Sequence, residues 1–263
     1  MEIVSLDCKN VLQNVTYLII GKNNRVICID PNSASLLIDE LEKRKLSLAL
    51  IINTHEHSDH TDGNELLAKN YACEVLAHEK ARSIPAKTGI LKTGERIEID
   101  EDHYLEILNF PGHTLSHLGL LLYKNRLPFA LFSGDTLFNA GCGTCMYGGD
   151  PELLYETFDG NIQQLTDTIL IYPGHDYYER NLGFALDREE ENFYIFSILQ
   201  EYRKEKAKGN LIVTTLGVER QMNPFLRLNE KNILKKLKSE YPHIKTWDRK
   251  TVFLTLRELR DKW

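Results

Sequence analysis

Three histidines, His55, His57 and His60, and one aspartate, Asp59, fall within the seven residues THEHSDH (54–60). Side chains this polar bury little apolar area, and imidazoles so crowded repel one another once protonated. The stretch is therefore either a solvated loop or a cradle for a cation. Residues i and i+2 of an extended segment project to the same side, so His55 and His57 can share one ion while Glu56 points elsewhere. Asp59 and His60 follow after the chain begins to turn and can serve a second ion close by. Three further residues of the same chemical types stand in short loop motifs: His113 in PGHT, Asp135 in SGDT and His175 in PGHD. His113 can complete the first set and His175 the second, and Asp135 can give one carboxylate oxygen to each ion. Imidazole nitrogen with carboxylate oxygen suits zinc, iron or manganese better than calcium or magnesium. Two such ions ~3.5–4 Å apart form the clamp used in hydrolysis. Of the remaining histidines, His78, His103, His117 and His243 read as structural or surface residues, with His117 a candidate to orient His113.

The elements that must position these residues repeat one unit. LALIIN (48–53) runs into THEHSDH, LEILNF (105–110) into PGHT, PFALF (128–132) into SGDT and TILIY (168–172) into PGHD. Each run is short, apolar and bounded by Pro, Gly or polar turn residues, which reads as a buried strand. Sheets gather their chemistry at strand ends, where loops converge while strands hold them rigid. Four such loops can surround one point. Between them lie helical patterns. SASLLIDELEKRKL (33–46) shows apolar residues at Leu36, Leu37, Leu41 and Leu46 and offers Ser33 as an N-cap. TDGNELLAKN (61–70) starts a helix just after the histidine cluster, and DPELLYETFDGNIQQL (150–165) starts one at Asp150-Pro151. Alternating strands and helices predict an α/β domain over residues 1–178. Helical patterns then dominate a C-terminal unit, residues 179–263, broken only by the brief apolar run LIVTTL.

The bulk composition narrows the function classes. The chain has 263 residues, 42% hydrophobic and 27% charged, ordinary for a globular protein with a real core. Its net charge of −6 gives no global basic field for a phosphate backbone. The one basic cluster, KNILKKLK (231–238), reads as a solvated helix face. No apolar run approaches the ~20 residues needed to span a bilayer. The N-terminal MEIVSLDCKN lacks the basic start and apolar core of a signal peptide, and five cysteines fit free thiols in a reducing compartment. The expectation is a cytoplasmic protein, monomeric or weakly homo-oligomeric, with neither nucleic acid nor membrane as partner.

TxHxDH, PGHT, GDTLF and the final PGHD together resemble the metallo-β-lactamase superfamily. That resemblance implies an αββα sandwich with a two-metal site at one edge, His55, His57 and His113 on one metal, Asp59, His60 and His175 on the other, and Asp135 between them. Within the superfamily the chain is most similar to glyoxalase II, the hydroxyacylglutathione hydrolases of methylglyoxal detoxification. The stretches that carry this are GDTLFNAGCG (134–143), PGHDY (173–177), TTLGVERQMNPFLRL and the terminal LRELRDKW. The resemblance implies a binuclear metallohydrolase, most simply a zinc enzyme, that cleaves a glutathione thioester. It puts Tyr177 near glutathione and makes Arg257 and Arg260, one helical turn apart, the basic pair for a glutathione carboxylate; by itself the pair reads as an exposed helix face. After GCG the family usually carries Lys or Arg and then aromatics that hold the glutathione backbone. Here the chain reads GCGTCMYGGD, with Thr144 in place of the cation and Tyr147 either the aromatic shifted by one place or an unrelated residue. Cys142 and Cys145 form a Cys-x-x-Cys pair outside any thioredoxin-like context and read as free thiols.

Other functions compete for the same motifs. A sulfur dioxygenase keeps the histidine motif but uses a single iron to oxidise glutathione persulfide. A thioesterase of the same fold can act on a non-glutathione thioester. A nuclease is opposed by the acidic net charge, a β-lactamase by the helical tail, and a non-catalytic metal-stabilised module by the filling of all seven ligand positions.

Overall fold

The computed structural model describes residues 1–22 and 24–263. Its first sheet has six strands in chain order: β1 (Glu2–Asp7), β2 (Val15–Ile20), β3 (Arg25–Ile29), β4 (Ser47–Ile52), β5 (Glu74–His78) and β6 (Gly89–Leu91). β1 to β3 are antiparallel and β3 to β6 parallel. β7 (Arg96–Asp100), β8 (His103–Asn109), β9 (Leu118–Lys124) and β10 (Leu127–Gly134) belong to a second sheet. A short hairpin of β11 (Leu137–Phe138) and β12 (Gly141–Cys142) follows. β13 (Leu170–Pro173) and β14 (Thr214–Thr215) complete the second sheet in the order β14-β13-β10-β9-β8-β7.

Side-chain alternation along the strands builds the layers. Val15, Tyr17 and Ile19 of β2 face Leu118, Leu120 and Leu122 of β9 and Ala130 and Phe132 of β10 across the space between the sheets. The intervening residues Leu18 and Ile20 turn outward onto Leu37 and Leu41 of α1 (Ala34–Arg44) and Leu67 of α2 (Asn64–Tyr71). Leu121, Leu131 and Ile171 turn outward from the other sheet onto Leu154 and Phe158 of α3 (Pro151–Gly160). Helices thus cover both outer faces, the αββα sandwich that the motifs imply.

The helices form close to where their patterns place them. The Ser33 hydroxyl accepts from Leu36 N–H, and the Asp150 carboxylate accepts from Glu152 and Leu153 N–H ahead of Pro151. α2 starts at Asn64 because residues 58–60 first wind through a 3-10 turn, which Gly63 N–H closes onto Pro31 O. The later helices are α4 (Tyr178–Arg188), α5 (Phe193–Ala207), α6 (Leu216–Met222), α7 (Lys231–Glu240) and α8 (Arg249–Lys262). α7 and α8 join the outer core of the second sheet through Ile233, Leu237, Val252, Phe253 and Leu256, whereas α4, α5 and α6 share a smaller cluster around Tyr178, Ile195 and Met222. Of LIVTTL, only Thr214–Thr215 pairs as a strand, and Leu216 begins α6. On α7, Ile233 and Leu237 are buried while Lys236 pairs with Glu190 at 2.8 Å, a charged face opposite an apolar one.

Candidate metal centre and substrate cleft

Strand ends bring the nominated side chains together. β3 and β4 run parallel, so Asp30, just past β3, meets Thr54, just past β4: its carboxylate accepts from Thr54 N–H at 2.8 Å and from the Thr54 hydroxyl at 2.6 Å. β10 and β13 are also parallel, and Gly174 N–H donates to Gly134 O at 2.9 Å, setting Asp135 beside His175. Leu118 N–H donates to Thr54 O at 2.8 Å and ties the two sheets together at this edge. Gly134 has φ +47°, and a Cβ there would lie 2.6 Å from His117 Nε2 and 2.7 Å from Thr54 Oγ1. Only glycine allows so tight a turn into Asp135. A Cβ on Gly174 would likewise fall on Asp135 Oδ1 and the His60 ring.

The outer nitrogen of each of the five central histidines faces an oxygen. His113 Nδ1 meets Thr144 O at 2.6 Å, His175 Nδ1 meets Leu12 O at 2.7 Å and His57 Nε2 meets Tyr147 O at 3.0 Å. A carbonyl only accepts, so these nitrogens carry the proton. His60 Nδ1 faces the Asp30 carboxylate at 3.0 Å. His55 Nδ1 lies 3.0 Å from Thr54 Oγ1, whose own proton goes to Asp30, so that hydroxyl accepts. The tautomers follow from this network. Each ring turns its other nitrogen inward.

Those nitrogens converge in two groups. His55 Nε2 and His113 Nε2 lie 3.1 and 3.0 Å from His57 Nδ1. His60 Nε2 and His175 Nε2 lie 3.2 Å apart, and Asp59 Oδ2 is 3.5 and 3.4 Å from them. Within each trio the ligand atoms lie within 4.8 Å of one another. Asp135 stands between the groups, Oδ1 3.4 Å from His60 Nε2, and Oδ2 3.1 Å from His175 Nε2 and 3.5 Å from His113 Nε2. Its Oδ1 is buried without a hydrogen-bond partner. Burial pushes the His55 imidazole well below the ordinary histidine range and His113 down to about 4, so both are neutral near pH 7. Burial also opposes charge on His60, yet Asp135 and Asp30 override it and hold His60 well above that range. Burial raises Asp135, and His175 and His60 outweigh it, so the carboxylate stays ionised. Ring nitrogens facing one another at about 3 Å, beside an orphaned carboxylate oxygen, are poorly matched alone and well matched around a cation. The donor set fits two divalent metals.

Above this floor opens a cleft of about 420 Å³, lined by Tyr147, Tyr177, Arg180, Asn181 and Arg260 among others. Tyr177 stacks on His175 with ring centroids 4.7 Å apart and meets Phe138 edge-on. The Tyr147 side chain is 70% exposed, and its ordered contribution is the carbonyl that orients His57. Arg260 donates to Asn181 Oδ1 at 3.0 Å. Arg257 lines the same cleft, but it is not on the exposed face that helical spacing alone suggests. It is 4% exposed and donates to Cys142 O at 2.8 Å, Gly143 O at 3.0 Å and Asp261 at 2.7 Å. The last turn of α8 packs against the glycine-rich loop, and Arg257 clamps that loop. Cys142 and Cys145 are free thiols, pushed up by burial to about 11 and about 12.

Several supporting residues lie outside the sequence motifs. Asp30 is the chief one, and its signal is present: RVICID (25–30) is a fifth apolar run ending in an acid. Asn14 donates to Asp59 Oδ2 at 2.9 Å, and Asn32 donates to Asp59 O at 2.9 Å. His117 supports Asp135 rather than His113, accepting Asp135 N–H on Nε2 at 3.0 Å while stacking on His55. Glu56 points away from the ligands and accepts from Thr114 at 3.1 Å. The buried Glu219 accepts from Ala140 N–H at 2.7 Å, and Asn223 of the NPF segment donates to Gly141 O at 3.0 Å, so α6 fastens the hairpin that leads into the cleft.

Known proteins match along the whole chain. Residues 10–175 match the metallo-beta-lactamase superfamily model, and residues 176–263 match the hydroxyacylglutathione hydrolase C-terminus. A hydroxyacylglutathione hydrolase of Nitrosococcus oceani is 41% identical with 100% of both chains covered, and one of a Polaromonas species is 38% identical with 97% of each covered. Among solved structures, ETHE1 from Myxococcus xanthus is 20% identical, with 99% of this chain and 98% of that one covered and a TM-score of 0.65. TTHA1623 in a di-iron-bound form is 22% identical over 86% of this chain and 100% of that one, with a TM-score of 0.60. At such identities the structural likeness speaks for the fold alone. The sequence matches carry the finer assignment: this chain belongs to the hydroxyacylglutathione hydrolase family of the metallo-β-lactamase superfamily.

Proposed function

We propose that the chain hydrolyses S-(2-hydroxyacyl)glutathione, typified by S-D-lactoylglutathione, to glutathione and a 2-hydroxy acid. Beside family membership, the observation that carries this reading is the gathering of five imidazole nitrogens in two groups on either side of Asp135 at the floor of an open cleft. His55, His57 and His113 would hold one ion and Asp59, His60 and His175 the other, with Asp135 shared. Zinc is the ion we assign, and iron or manganese satisfies the same donors. When bound, such ions supply Lewis acidity and bring a water's pKa to near neutrality. Asp59, fixed by Asn14, and Asp135, fixed by His117, orient the attacking water toward the acyl carbonyl. A thiol of pKa near ~8.5 leaves readily as thiolate, so no strong general acid is required. Tyr177 and Arg260 line the wall that would receive the peptide part, and binding there positions the reacting carbon. The test is incubation of the purified protein, loaded in turn with zinc, iron and manganese, with S-D-lactoylglutathione, a panel of other thioesters and glutathione persulfide. Thiol release matching thioester loss, with two ions per chain, is the expected result. Cleavage of other thioesters only would overturn the glutathione assignment. One iron per chain with oxygen uptake on the persulfide would replace hydrolysis by sulfur oxidation.

A further inference from the structure

The cleft wall carries cations that the fold leaves unneutralised. The segment after GCG has Thr144 where the family resemblance implies a cation, and although Thr144 lines the cleft its polar groups are engaged elsewhere. Its hydroxyl donates to Asp261 at 2.9 Å and its carbonyl holds His113. Asp261 also pairs with Arg257 at 2.7 Å, so the acid on this wall is already engaged. Among the described residues, Arg260 keeps only Asn181 as a hydrogen-bonding neighbour. Arg180, in the first turn of α4, is exposed and lines the same cleft, and no hydrogen bond or ion pair among the described residues engages its guanidinium. The acid next to it in sequence, Glu179, pairs instead with Arg203 at 2.7 Å. Two guanidinium groups thus face one cleft, and no carboxylate among the described residues pairs with either. Burial, and then the charges of Arg180 and Arg257, bring Arg260 down to about 10, so this wall favours an anion.

We propose that Arg180 is a specificity-determining residue which supplies the cation missing at Thr144 and, together with Arg260, holds a carboxylate of the thiol carrier. This rests on the thioester-hydrolase reading above and deepens it. Glutathione carries two carboxylates remote from its sulfur, and planar guanidinium groups suit carboxylates in bidentate geometry. Arg180 lies on the surface, so its replacement leaves the core and the metal floor in place. The test compares the metal-loaded full chain with R180Q and R180K. Calorimetric titration with glutathione should show about tenfold weaker binding to R180Q, the equivalent of roughly 1.4 kcal/mol, and less than about threefold weakening for R180K. In kinetics, the preference for S-D-lactoylglutathione over S-lactoyl-N-acetylcysteamine, which has no carboxylate, should fall about tenfold in R180Q, through KM. An unchanged preference and unchanged glutathione affinity would overturn the proposal. So would an equal loss on both thioesters, since that places the effect at the reacting centre. If the unsubstituted protein leaves S-D-lactoylglutathione intact, it is the hydrolase reading that fails. If it cleaves that thioester and R180Q matches it, only the role of Arg180 fails.

Discussion

Asp30 touches none of the inward lone pairs, yet it decides which way two of them point. Its Oδ1 accepts from Thr54 N–H, and its Oδ2 accepts from the Thr54 hydroxyl at 2.6 Å and from His60 Nδ1–H at 3.0 Å. Asn at this position is nearly isosteric but replaces one oxygen by an NH2 group. If the remaining oxygen stays on Thr54 N–H, the new amide protons meet two donors. Thr54 can rotate to accept, losing an acceptor for its own proton. His60 can relieve the clash only by shifting its proton to Nε2, the nitrogen 3.2 Å from His175 Nε2 and 3.4 Å from Asp135. That proton then occupies the place of a metal bond. A hydrogen bond to a charged group contributes roughly 1.5–3 kcal/mol, which corresponds to about 10- to 100-fold in affinity, the usual cost of losing the partner of a metal-bound histidine. D30N should therefore bind the ion of the Asp59, His60 and His175 group about 10- to 100-fold more weakly, while the His55, His57 and His113 group is less affected. Dialysis against graded chelator concentrations followed by elemental analysis measures this directly. The expected outcome is a plateau at one ion per chain where the unsubstituted protein still holds two. Two ions retained by D30N with unchanged affinity would refute the tautomer argument.

Two further substitutions probe the clamp on the cleft loop and the far end of the second sheet. R257Q removes a buried guanidinium and strands the Cys142 and Gly143 carbonyls, so thermal unfolding should show a loss of about 2–4 kcal/mol; an unchanged Tm would count against the clamp. At the far end of the second sheet, burial pushes Asp100 up, but the 2.6 Å bond from His103 and the amides of Lys22 and Asp102 outweigh it and take it from 3.8 to about 2. A depressed carboxylate contributes stability that is complete above its unfolded pKa and lost as pH falls through the folded one. D100N should thus be about 2 kcal/mol less stable than the unsubstituted protein at pH 7. The gap should close between about pH 4 and about pH 2, as read by urea unfolding, and a gap independent of pH would contradict the assignment.

The candidate metal floor is legible in the sequence because the residues proposed to hold the ions follow strands, and strands announce themselves as short apolar runs. The runs before His55, His113, Asp135 and His175 become β4, β8, β10 and β13, and parallel pairing of β10 with β13 sets Asp135 against His175. Asp59 and His60 are readable for another reason, that the chain turns there, and a 3-10 turn at residues 58–60 is what it forms. What stays hidden depends on contacts between distant segments. Asp30 acts on His60 across 30 residues, His117 on Asp135 across 18 and Asn14 on Asp59 across 45. No local period marks such pairs. Arg257 departs from expectation for the same reason: helical spacing gives a face, but only the packing of α8 on the 142–143 loop shows that this face is buried.

The segment GCGTCMYGGD, which carries Thr144 where the family resemblance implies a cation, sits against the most constrained part of the site, and the hydrogen bonds explain how both hold. His113 is oriented by the carbonyl of Thr144 and His57 by the carbonyl of Tyr147. A carbonyl is the same group whatever side chain its residue carries, so the loop can exchange a cation for threonine without disturbing either imidazole. What the exchange cannot preserve is the charge on the cleft wall, because that belongs to a side chain. At this loop the imidazoles of His113 and His57 rest on backbone oxygens while the proposed carrier contact rests on guanidinium groups, so the two are mechanically joined yet chemically separable. Substitutions in this loop that keep its path should therefore alter which thiol carrier is held while leaving the geometry of the reacting centre as it is.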